Sequence, residues 1–305
     1  MDPLSDILTL MRPTGYGFRG LDAGGPWALS FAAAMGIRCF AIEAGTCFLR
    51  LAGASAAIRL DAGDVVLASS DRALTLFSCE ETPAIDAVEF LSAVAPGRTA
   101  LLNGGGECRG IGGFFAIEGS GMDRIVAALP AVLHVQSTTT RTALYASAQK
   151  LMSELSEPRP GSALLASHLA QALIIEALRA HLDEGKTSQG WLSALAVPTL
   201  NRALNAMHAD VARRWTLTAL ADIAGMSRSS FAAHFERVLG ETPIAYLTRW
   251  RMVLAADRIA MSGMTITDVA LSVGYESDSA FGASFKRIMG YSPGQHRQQA
   301  AIAPL

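Results

Sequence analysis

Histidine and cysteine are the side chains best suited to bind a transition metal or to carry thiol chemistry, and this sequence keeps them apart. The four cysteines are Cys39, Cys47, Cys79 and Cys108, whereas the six histidines begin only at His134. Residues 1–133 therefore offer no imidazole, and we expect neither a bound metal nor a catalytic residue there. No secretory signal is evident, so free thiols are the default, and a thiol-based redox sensor stays open as an alternative.

A second informative set of residues occurs twice. Seven residue types recur at an offset of fifty positions, which indicates a duplicated module. The pairs are Ser227 and Ser277, Ser229 and Ser279, Phe231 and Phe281, Phe235 and Phe285, Arg237 and Arg287, Gly240 and Gly290, and Pro243 and Pro293.

Each copy has the pattern of a helix-turn-helix. In the first copy we predict a short helix over residues 218–224, a stop at Gly225, and a second helix capped by Ser227. In the second copy a capping box over residues 265–268 opens the first helix, Gly274 ends it, and Ser277 caps the next. Two short helices joined by a tight glycine-containing turn are typical of DNA-reading motifs.

The segment between the copies is predicted to be one continuous helix. Pro243 can open a helix, and residues 244–261 contain no further Pro or Gly. Eighteen helical residues span ~27 Å. Successive major-groove faces of B-DNA are ~34 Å apart, so two reading helices in adjacent turns are feasible. An all-helical array without a nucleic-acid role is the alternative.

The C-terminal part resembles the AraC family of bacterial transcription regulators. The matching stretches are WTLTALA from residue 215, GMSRSSF from 225, GETPIAYLTRWRM from 240, VGYES from 273 and FKRIMGYSPG from 285. The resemblance runs from about residue 200 to 297, and it implies a double-stranded DNA partner, contact with RNA polymerase and a role as an activator.

Motif position then implies which residues face DNA. The base-contacting set is Arg228, Ser229, Ala232, Ala233, Asp278, Ser279, Gly282 and Ala283. The phosphate-contacting set is Arg213, Arg214, Arg237, Lys286, Arg287 and Arg297. Many family members carry arginine where this chain has Ala233 and Ala283, so readout must depend on the remaining polar groups, thymine methyl contacts and DNA shape.

The N-terminal half alternates short apolar runs with turn residues, which predicts many short strands in a small barrel or jelly roll. It is similar to the cupin-type sensor domain often fused to this DNA-binding module. The stretches that carry this resemblance are DPLSD from residue 2, AGGPWAL from 23, LDAGDVVL from 60 and ALPAVLHV from 128. A cupin enzyme with an appended DNA-binding domain is therefore an alternative, but Phe40 and Leu74 stand where cupin metal ligands would align.

A cupin barrel without metal ligands is expected to bind a small effector in an apolar interior. The candidate lining residues are Trp27, Arg38, Cys39, Phe40, Phe48, Leu74 and Phe77. A solidly packed interior is the competing interpretation, because small barrels are commonly filled by side chains.

Residues 141–155 and 162–183 place apolar side chains at helical spacing and predict a helical hairpin. It could support a homodimer or pack on the barrel. Residues 186–199 are predicted to form the linker.

Composition sets the remaining limits. Half of the residues are hydrophobic and 17% are charged, as in well-packed globular domains. Residues 201–305 carry 11 Lys and Arg against 8 Asp and Glu, whereas the preceding 200 residues are net acidic. No uninterrupted apolar stretch reaches eighteen residues, so we expect a cytoplasmic protein without membrane contact.

The sequence thus predicts an α+β protein: a cupin-like barrel or jelly roll with a helical hairpin, then an all-α double helix-turn-helix domain. We expect a sensor domain at 1–135, the hairpin at 136–185, the linker at 186–199 and the DNA-binding domain at 200–305. The predicted function is a transcription regulator controlled by a small effector or by a partner at the cupin-like domain, with no cofactor and no enzymatic activity.

Overall fold

The computed structural model describes residues 2–11, 13–117, 126, 129–135, 138–184 and 190–302. These residues form two compact units. One contains residues 13–117 and 130–184, and the other contains residues 2–11, 126, 129 and 190–302. Residues 2–11, which the sequence led us to assign to the sensor domain, therefore pack with the C-terminal half.

The first unit is rich in β structure. Its strands are β1 (Pro13–Ala23), β2 (Ala28–Phe31), β3 (Gly36–Ala44), β4 (Thr46–Leu51), β5 (Ile58–Asp61), β6 (Val65–Ser69), β7 (Leu74–Phe77), β8 (Ile85–Asp86), β9 (Thr99–Leu102), β10 (Cys108–Ile117) and β11 (Val132–Val135). A short helix, α2 (Ala87–Ser92), follows β8 and is capped by Asp86, whose side chain accepts a hydrogen bond from the Glu89 amide.

The strands form two sheets. One has the order β11-β6-β3-β10-β1-β9, and the other has the order β5-β4-β7-β2-β8. The turns that join β3 to β4 and β5 to β6 contain Gly45 and Gly63 at φ angles of 79° and 90°, a backbone region that favours glycine. Side chains from both sheets share one apolar core that includes Leu29, Phe40 and Leu60. The predicted cupin-like β domain is confirmed.

Two helices complete the first unit. They are α3 (Thr138–Ser156) and α4 (Ser162–Asp183), and they confirm the predicted hairpin with a start three residues earlier. Glu154, 4% exposed, ties the turn together. It accepts hydrogen bonds from Ser162 Oγ at 2.7 Å and from Arg159 Nη2 at 3.0 Å. The Ser162 hydrogen bond is the main cause that lowers the pKa of Glu154.

Helix α4 is apolar on more than one face. Ala166, Ala170 and Leu173 are buried, whereas Leu164 and Leu165 are 65% and 41% exposed. This helix of 22 residues is long and apolar enough for a membrane span by length and composition alone. In this fold it packs against α3 as a domain helix.

The second unit is all helical in the part that the structure describes. Its helices are α1 (Pro3–Met11), α5 (Trp191–Leu195), α6 (Pro198–Ala209), α7 (Leu217–Ala224), α8 (Arg228–Leu239), α9 (Pro243–Met261), α10 (Ile266–Ser272), α11 (Asp278–Met289) and α12 (Pro293–Ile302). Helix α5 and the start of α6 occupy much of the range for which the sequence predicted a linker. This segment is ordered because its apolar side chains are buried. Trp191 and Leu192 are 3% and 1% exposed, and α5 packs against α6 and α8.

A buried polar chain attaches α1 to α6 and α9. His208 Nδ1 lies 3.0 Å from Asp6 Oδ2, and His208 Nε2 lies 2.8 Å from the Tyr246 hydroxyl. An ionised carboxylate only accepts, so Nδ1 carries the proton and Nε2 accepts from Tyr246. The His208 ring also stacks on Trp250 with centroids 4.4 Å apart. Burial is the main cause that lowers the pKa of His208, which favours this neutral form.

The two helix-turn-helix copies share their local construction. Ser227 Oγ accepts a hydrogen bond from the Ser230 amide, and Ser277 Oγ accepts one from the Ala280 amide. The helices that follow both have 12 residues and end at a glycine with φ near 80–90°. Gly225, the predicted stop of the first helix, is left-handed at φ 70°. The predicted duplication of a helix-turn-helix is confirmed.

Helix α9 contributes to both copies. Near its start, Tyr246 contacts Phe235 of the first copy with ring centroids 5.9 Å apart. Further along, Met252, Ala256 and Ile259 join the core that contains Phe281 and Phe285 of the second copy. The two reading helices are therefore held by one rigid element.

Candidate functional site

The first half of each reading helix presents small or polar side chains to solvent. On α8, Arg228, Ser229 and Ala233 are exposed and Ala232 is half-buried. On α11 the equivalent positions behave the same way: Asp278, Ser279 and Ala283 are exposed and Gly282 is half-buried. All eight residues that the sequence assigned to base contact thus lie on accessible helix surface next to the capped N-termini.

The two faces differ in charge. The first helical residue is Arg228 on α8 but Asp278 on α11. Asp278 is held in place, because its Oδ2 accepts a hydrogen bond from the Thr267 hydroxyl at 2.8 Å. The first turn of α8 therefore carries a positive charge, whereas the first turn of α11 carries a carboxylate.

The six predicted phosphate contacts fall into two groups. Arg213, Arg214, Arg237, Lys286 and Arg287 are all exposed. Arg297 is half-buried, and its Nη2 donates to the Met264 carbonyl at 2.6 Å, so this side chain supports the loop before α10. Of the five exposed side chains, Arg237 contacts His234 Nδ1 through Nη2 and Arg213 lies 4.2 Å from the ring centroid of Trp215.

Other arginines of this unit are structural. Arg251 donates from Nε to the Val211 carbonyl at 2.9 Å and from Nη2 to the Arg213 carbonyl at 2.8 Å. Arg258 Nη1 donates to the Ser272 carbonyl at 2.9 Å, at the end of α10. These contacts explain why the basic excess of residues 201–305 cannot be assigned to DNA as a whole.

The β unit contains a cavity of about 360 Å³. Both sheets and α2 line it, with Leu21, Leu29, Ile42 and Leu76 among the aliphatic walls. Val88 of α2 lines it and is 66% exposed, so the cavity opens beside this helix. Its size falls within the range of ~300–1,000 Å³ typical of small-molecule sites.

Of the seven candidate lining residues, Trp27, Arg38 and Phe40 do line the cavity, and Cys39, Phe48, Leu74 and Phe77 do not. Cys39 lies between Arg38 and Phe40 on β3, and successive strand residues face opposite sides. Leu74 is buried in the same apolar core as Trp27 and Phe40 but does not line the cavity. Phe48 and Phe77 stack on each other with centroids 5.7 Å apart.

Strand β10 supplies lining that the sequence reasoning missed. Gly110, Gly112 and Gly113 line the cavity, together with Cys108 and Ile111. A methyl group built on Gly112 would meet only the Phe40 ring, at 3.7 Å, so glycine here keeps space open. The run of glycines in an apolar strand was the available signal, because glycine in a strand often marks a close approach of a ligand or backbone. Arg19 was also missed.

In the described part of the chain, no three or more His, Cys, Asp or Glu side chains are placed to hold a metal ion. The cysteines differ in thiol character, because the hydrogen bond with Cys47 lowers the pKa of Cys108. Burial raises the pKa of Cys39 to about 12. The hydrogen bond with Cys108, and then burial, raise the pKa of Cys47. Both thiols are therefore protonated at neutral pH, the less reactive form.

Duplicated reading helices on one unit and a β sandwich with an apolar cavity on the other define a DNA-binding transcription regulator with a cupin-type sensor domain. Residues 2–183 match a cupin family described as Cupin, and residues 220–299 match a family described as Helix-turn-helix domain. The chain belongs to the AraC-like transcription regulators.

Three relatives extend over essentially the whole chain. An AraC-like transcription regulator of Streptomyces lividans is 37% identical over 304 residues, covering 99% of this chain and 100% of the relative. One from Streptomyces antibioticus is 35% identical, covering 98% and 99%. The HTH-type transcriptional regulator AlkR of Acinetobacter baylyi is 30% identical, covering 98% and 100%.

Proposed function

We propose that this regulator reads double-stranded DNA with the exposed faces of α8 and α11, and that a small molecule in the cavity of the β unit controls it. The observation that supports the first part is the matched geometry of the two copies: both helices are serine-capped, 12 residues long and packed on the shared helix α9. In this proposal the eight accessible residues assigned to base contact face the groove.

The two faces have different tasks in this proposal. Arg228 supplies a forked donor that suits the O6 and N7 acceptors of guanine, and Asp278 supplies an acceptor. Arg213, Arg214, Arg237, Lys286 and Arg287 contact phosphates, which fixes the position of the protein but carries little sequence information. Arg297 has a smaller share, because its guanidinium already binds Met264.

The helical hairpin supports a homodimer. The face of α4 that packs on the barrel side is covered, but Leu164 and Leu165 remain exposed, and Leu169, Ala172 and Ile175 are only half-buried. Exposed apolar residues that continue along one helix are typical of a protein interface. A dimer would place four reading helices on DNA, in the cytoplasm and within reach of RNA polymerase, with no enzymatic step.

The DNA part is tested with the full-length chain and a library of duplexes with randomised sequence. We expect enrichment of a bipartite site and an affinity that falls steeply with salt, because most contacts go to phosphate. Arg228→Ala should relax the preference at one base pair by ~1–3 kcal/mol. The matched control is Arg59→Ala, an exposed arginine on β5 of the other unit. A complete lack of complex at low salt would refute this part.

The effector part is tested by thermal shift against a library of metabolites. A compound that raises the melting temperature of the wild type should not do so in Gly112→Leu, because the leucine side chain fills the cavity beside Phe40. Gly112→Ala is the milder control, since its methyl group makes only ordinary contact. Stabilisation that persists in Gly112→Leu would place the compound outside the cavity and contradict the proposal.

The absence of metal is part of the same proposal and separates it from the alternative of a cupin enzyme. Elemental analysis of the purified full-length protein should find no stoichiometric Fe, Ni or Mn. One equivalent of any of these metals bound within residues 1–133 would favour the cupin enzyme.

A further inference from the structure

Two side chains with formal charge line the cavity, and both are arginines. Arg19 and Arg38 border it, and among its lining residues in the described part of the chain there is no aspartate or glutamate. The remaining walls are mainly aliphatic, aromatic and glycine residues. A cavity that is apolar and carries only positive charge favours a ligand that is apolar and negatively charged.

Arg38 is the more informative of the two. Its side chain is buried, with 5% of the residue exposed. Nη2 donates to the Ala32 carbonyl at 2.5 Å, but Nη1 is buried without a hydrogen-bond partner among the described residues. The guanidinium lies 5.4 Å and 5.7 Å from the ring centroids of Phe31 and Phe114, which hold it in position.

A buried guanidinium needs an anion. Arginine keeps its proton at any physiological pH, even though burial lowers the pKa of Arg38. No carboxylate of the described residues lies within 4 Å of it, because every ion pair found there involves other side chains. An uncompensated buried charge is strongly destabilising, so the protein gains most from a ligand that supplies the missing charge.

A second unsatisfied donor lines the same cavity. Trp27 is 2% exposed, and its indole Nε1 has no hydrogen-bond partner among the described residues. Buried N–H groups are normally paired, so an orphan on a cavity wall indicates where a ligand oxygen or a water sits. Among the buried side-chain atoms of the described lining residues, two donors and no acceptor lack a hydrogen-bond partner, which points to a ligand with oxygen acceptors.

The cavity volume sets the scale of this ligand. At about 360 Å³ it falls in the range of small-molecule sites, which suits simple aliphatic or aromatic acids. Highly polar anions such as nucleotides would bring groups that the aliphatic walls cannot pair.

We propose that the effector is a compact, mostly apolar carboxylic acid, bound as its carboxylate to Arg38 with its hydrocarbon body in the cavity. This inference rests on the proposed function, in which the cavity holds the controlling ligand. The planar guanidinium matches a carboxylate in geometry, and hydrogen bonds between charged groups are stronger than neutral ones.

The test measures binding of matched probes to the full-length protein by isothermal titration calorimetry. The probes are hexanoate, octanoate, decanoate, benzoate, 3-phenylpropanoate and 2-naphthoate, each with its primary amide and its amine. We expect at least one acid to bind about 10- to 100-fold more tightly than its amide, as a charged hydrogen-bonded pair requires. The amines should not bind.

Arg38→Met removes the charge and keeps an apolar side chain of similar length. In this variant the acid and the amide should bind equally, and the ligand-free protein should melt at a higher temperature than the wild type. The matched control is Arg59→Met, which lies outside the cavity lining and pairs with Asp61 at 2.9 Å. It should keep the preference for the acid.

The outcomes test two hypotheses separately: that the ligand is a carboxylate, and that any ligand of the cavity controls DNA binding. Failure of every acid to bind, or a preference for acids that survives Arg38→Met, overturns the carboxylate. If a neutral compound binds instead, changes the affinity for DNA and is blocked by Gly112→Leu, effector control stands and only the ligand class is wrong. If no compound of the panel or of a wider metabolite library changes DNA affinity, effector control fails as well.

Discussion

Placing an arginine at Ala283 tests which face of α11 meets the DNA. Ala283 is exposed and lies six residues after the Ser277 cap, so the longer side chain needs no space in the core. Arginine is a good helix former. The new charge would sit three and four residues before Lys286 and Arg287, and like charges at this spacing cost ~0.2–0.5 kcal/mol each. The folded state should therefore lose at most about 1 kcal/mol.

The effect on DNA preference should be larger than this cost. A forked donor that reaches O6 and N7 of guanine discriminates by ~1–3 kcal/mol. With a factor of ten for every 1.4 kcal/mol, the preference for guanine at one position should rise by ~5- to 150-fold. Ala233→Arg on α8 is the matched variant, and it should change a different position of the site.

The assay is a competition binding profile over randomised duplexes for the wild type, Ala283→Arg, Ala233→Arg and Arg287→Ala. Arg287→Ala should weaken all sequences about equally and reduce the salt slope by about one unit, because it removes a phosphate contact. Circular dichroism and a melting curve establish that each variant is folded. An unchanged profile for folded Ala283→Arg would mean that this part of α11 does not face the groove.

Three further predictions concern the folded state of the helical unit, each with urea or thermal unfolding as the measurement. Phe281→Ala should cost ~3–5 kcal/mol, because Phe281 is fully buried against Phe285 with ring centroids 5.6 Å apart; a loss below 1 kcal/mol would show that this core is not closed. Gly282→Ala should add ~0.5–1 kcal/mol, because no atom lies within 4 Å of the added methyl and its φ is not positive; a lower melting temperature would contradict this. Stability should fall on acidification below pH 6.5, where the unfolded state binds protons that folded His208 and His296 resist because burial lowers their pKa values. Between its unfolded-state pKa and its lower folded-state pKa, each histidine changes the free energy of unfolding by up to about 1.4 kcal/mol per pH unit, and above the unfolded-state pKa it changes nothing. A stability that stays constant from pH 7 to 5 would refute this prediction.

The helical half of the fold could be predicted because its signals are local. Serine caps, a glycine just past a helix end and a proline at the first helical position each act within one turn. Helix α9 begins at Pro243 and ends at Met261 as the pattern indicates. Thr265 is likewise a helix cap, because its hydroxyl oxygen accepts a hydrogen bond from the Asp268 amide.

Features that depend on distant residues could not be predicted. Asp6 and His208 are 202 positions apart, and no periodicity connects them. Residues 186–199 were assigned to a linker from their polar start, but the burial of Trp191 and Leu192 depends on α6 and α8. Burial against other elements decides such cases, and a local pattern carries no information on it.

The cavity also combines a feature that the local sequence indicates with one that depends on distant residues. Alternation along β3 places Arg38 and Phe40 on one face and Cys39 on the other, a distinction that the predicted lining set did not make. It does not indicate which face is hollow, because that depends on the size of residues on other strands. Gly112 of β10 contributes to this space, and its role is visible only once β10 pairs with β3 through Gly112 and Phe40.

Helix α9 has a consequence for the operators that this regulator can use. Because Tyr246 and Met252 of the same helix belong to different copies, no hinge lies between the two reading heads. One base pair inserted between two half-sites moves them apart by ~3.4 Å and rotates one against the other by ~34°. Helix α9 is continuous from Pro243 to Met261, so this helix itself offers no break that could absorb the change. Its target sites should therefore tolerate substitutions of individual bases far better than a change in the spacing between the two halves.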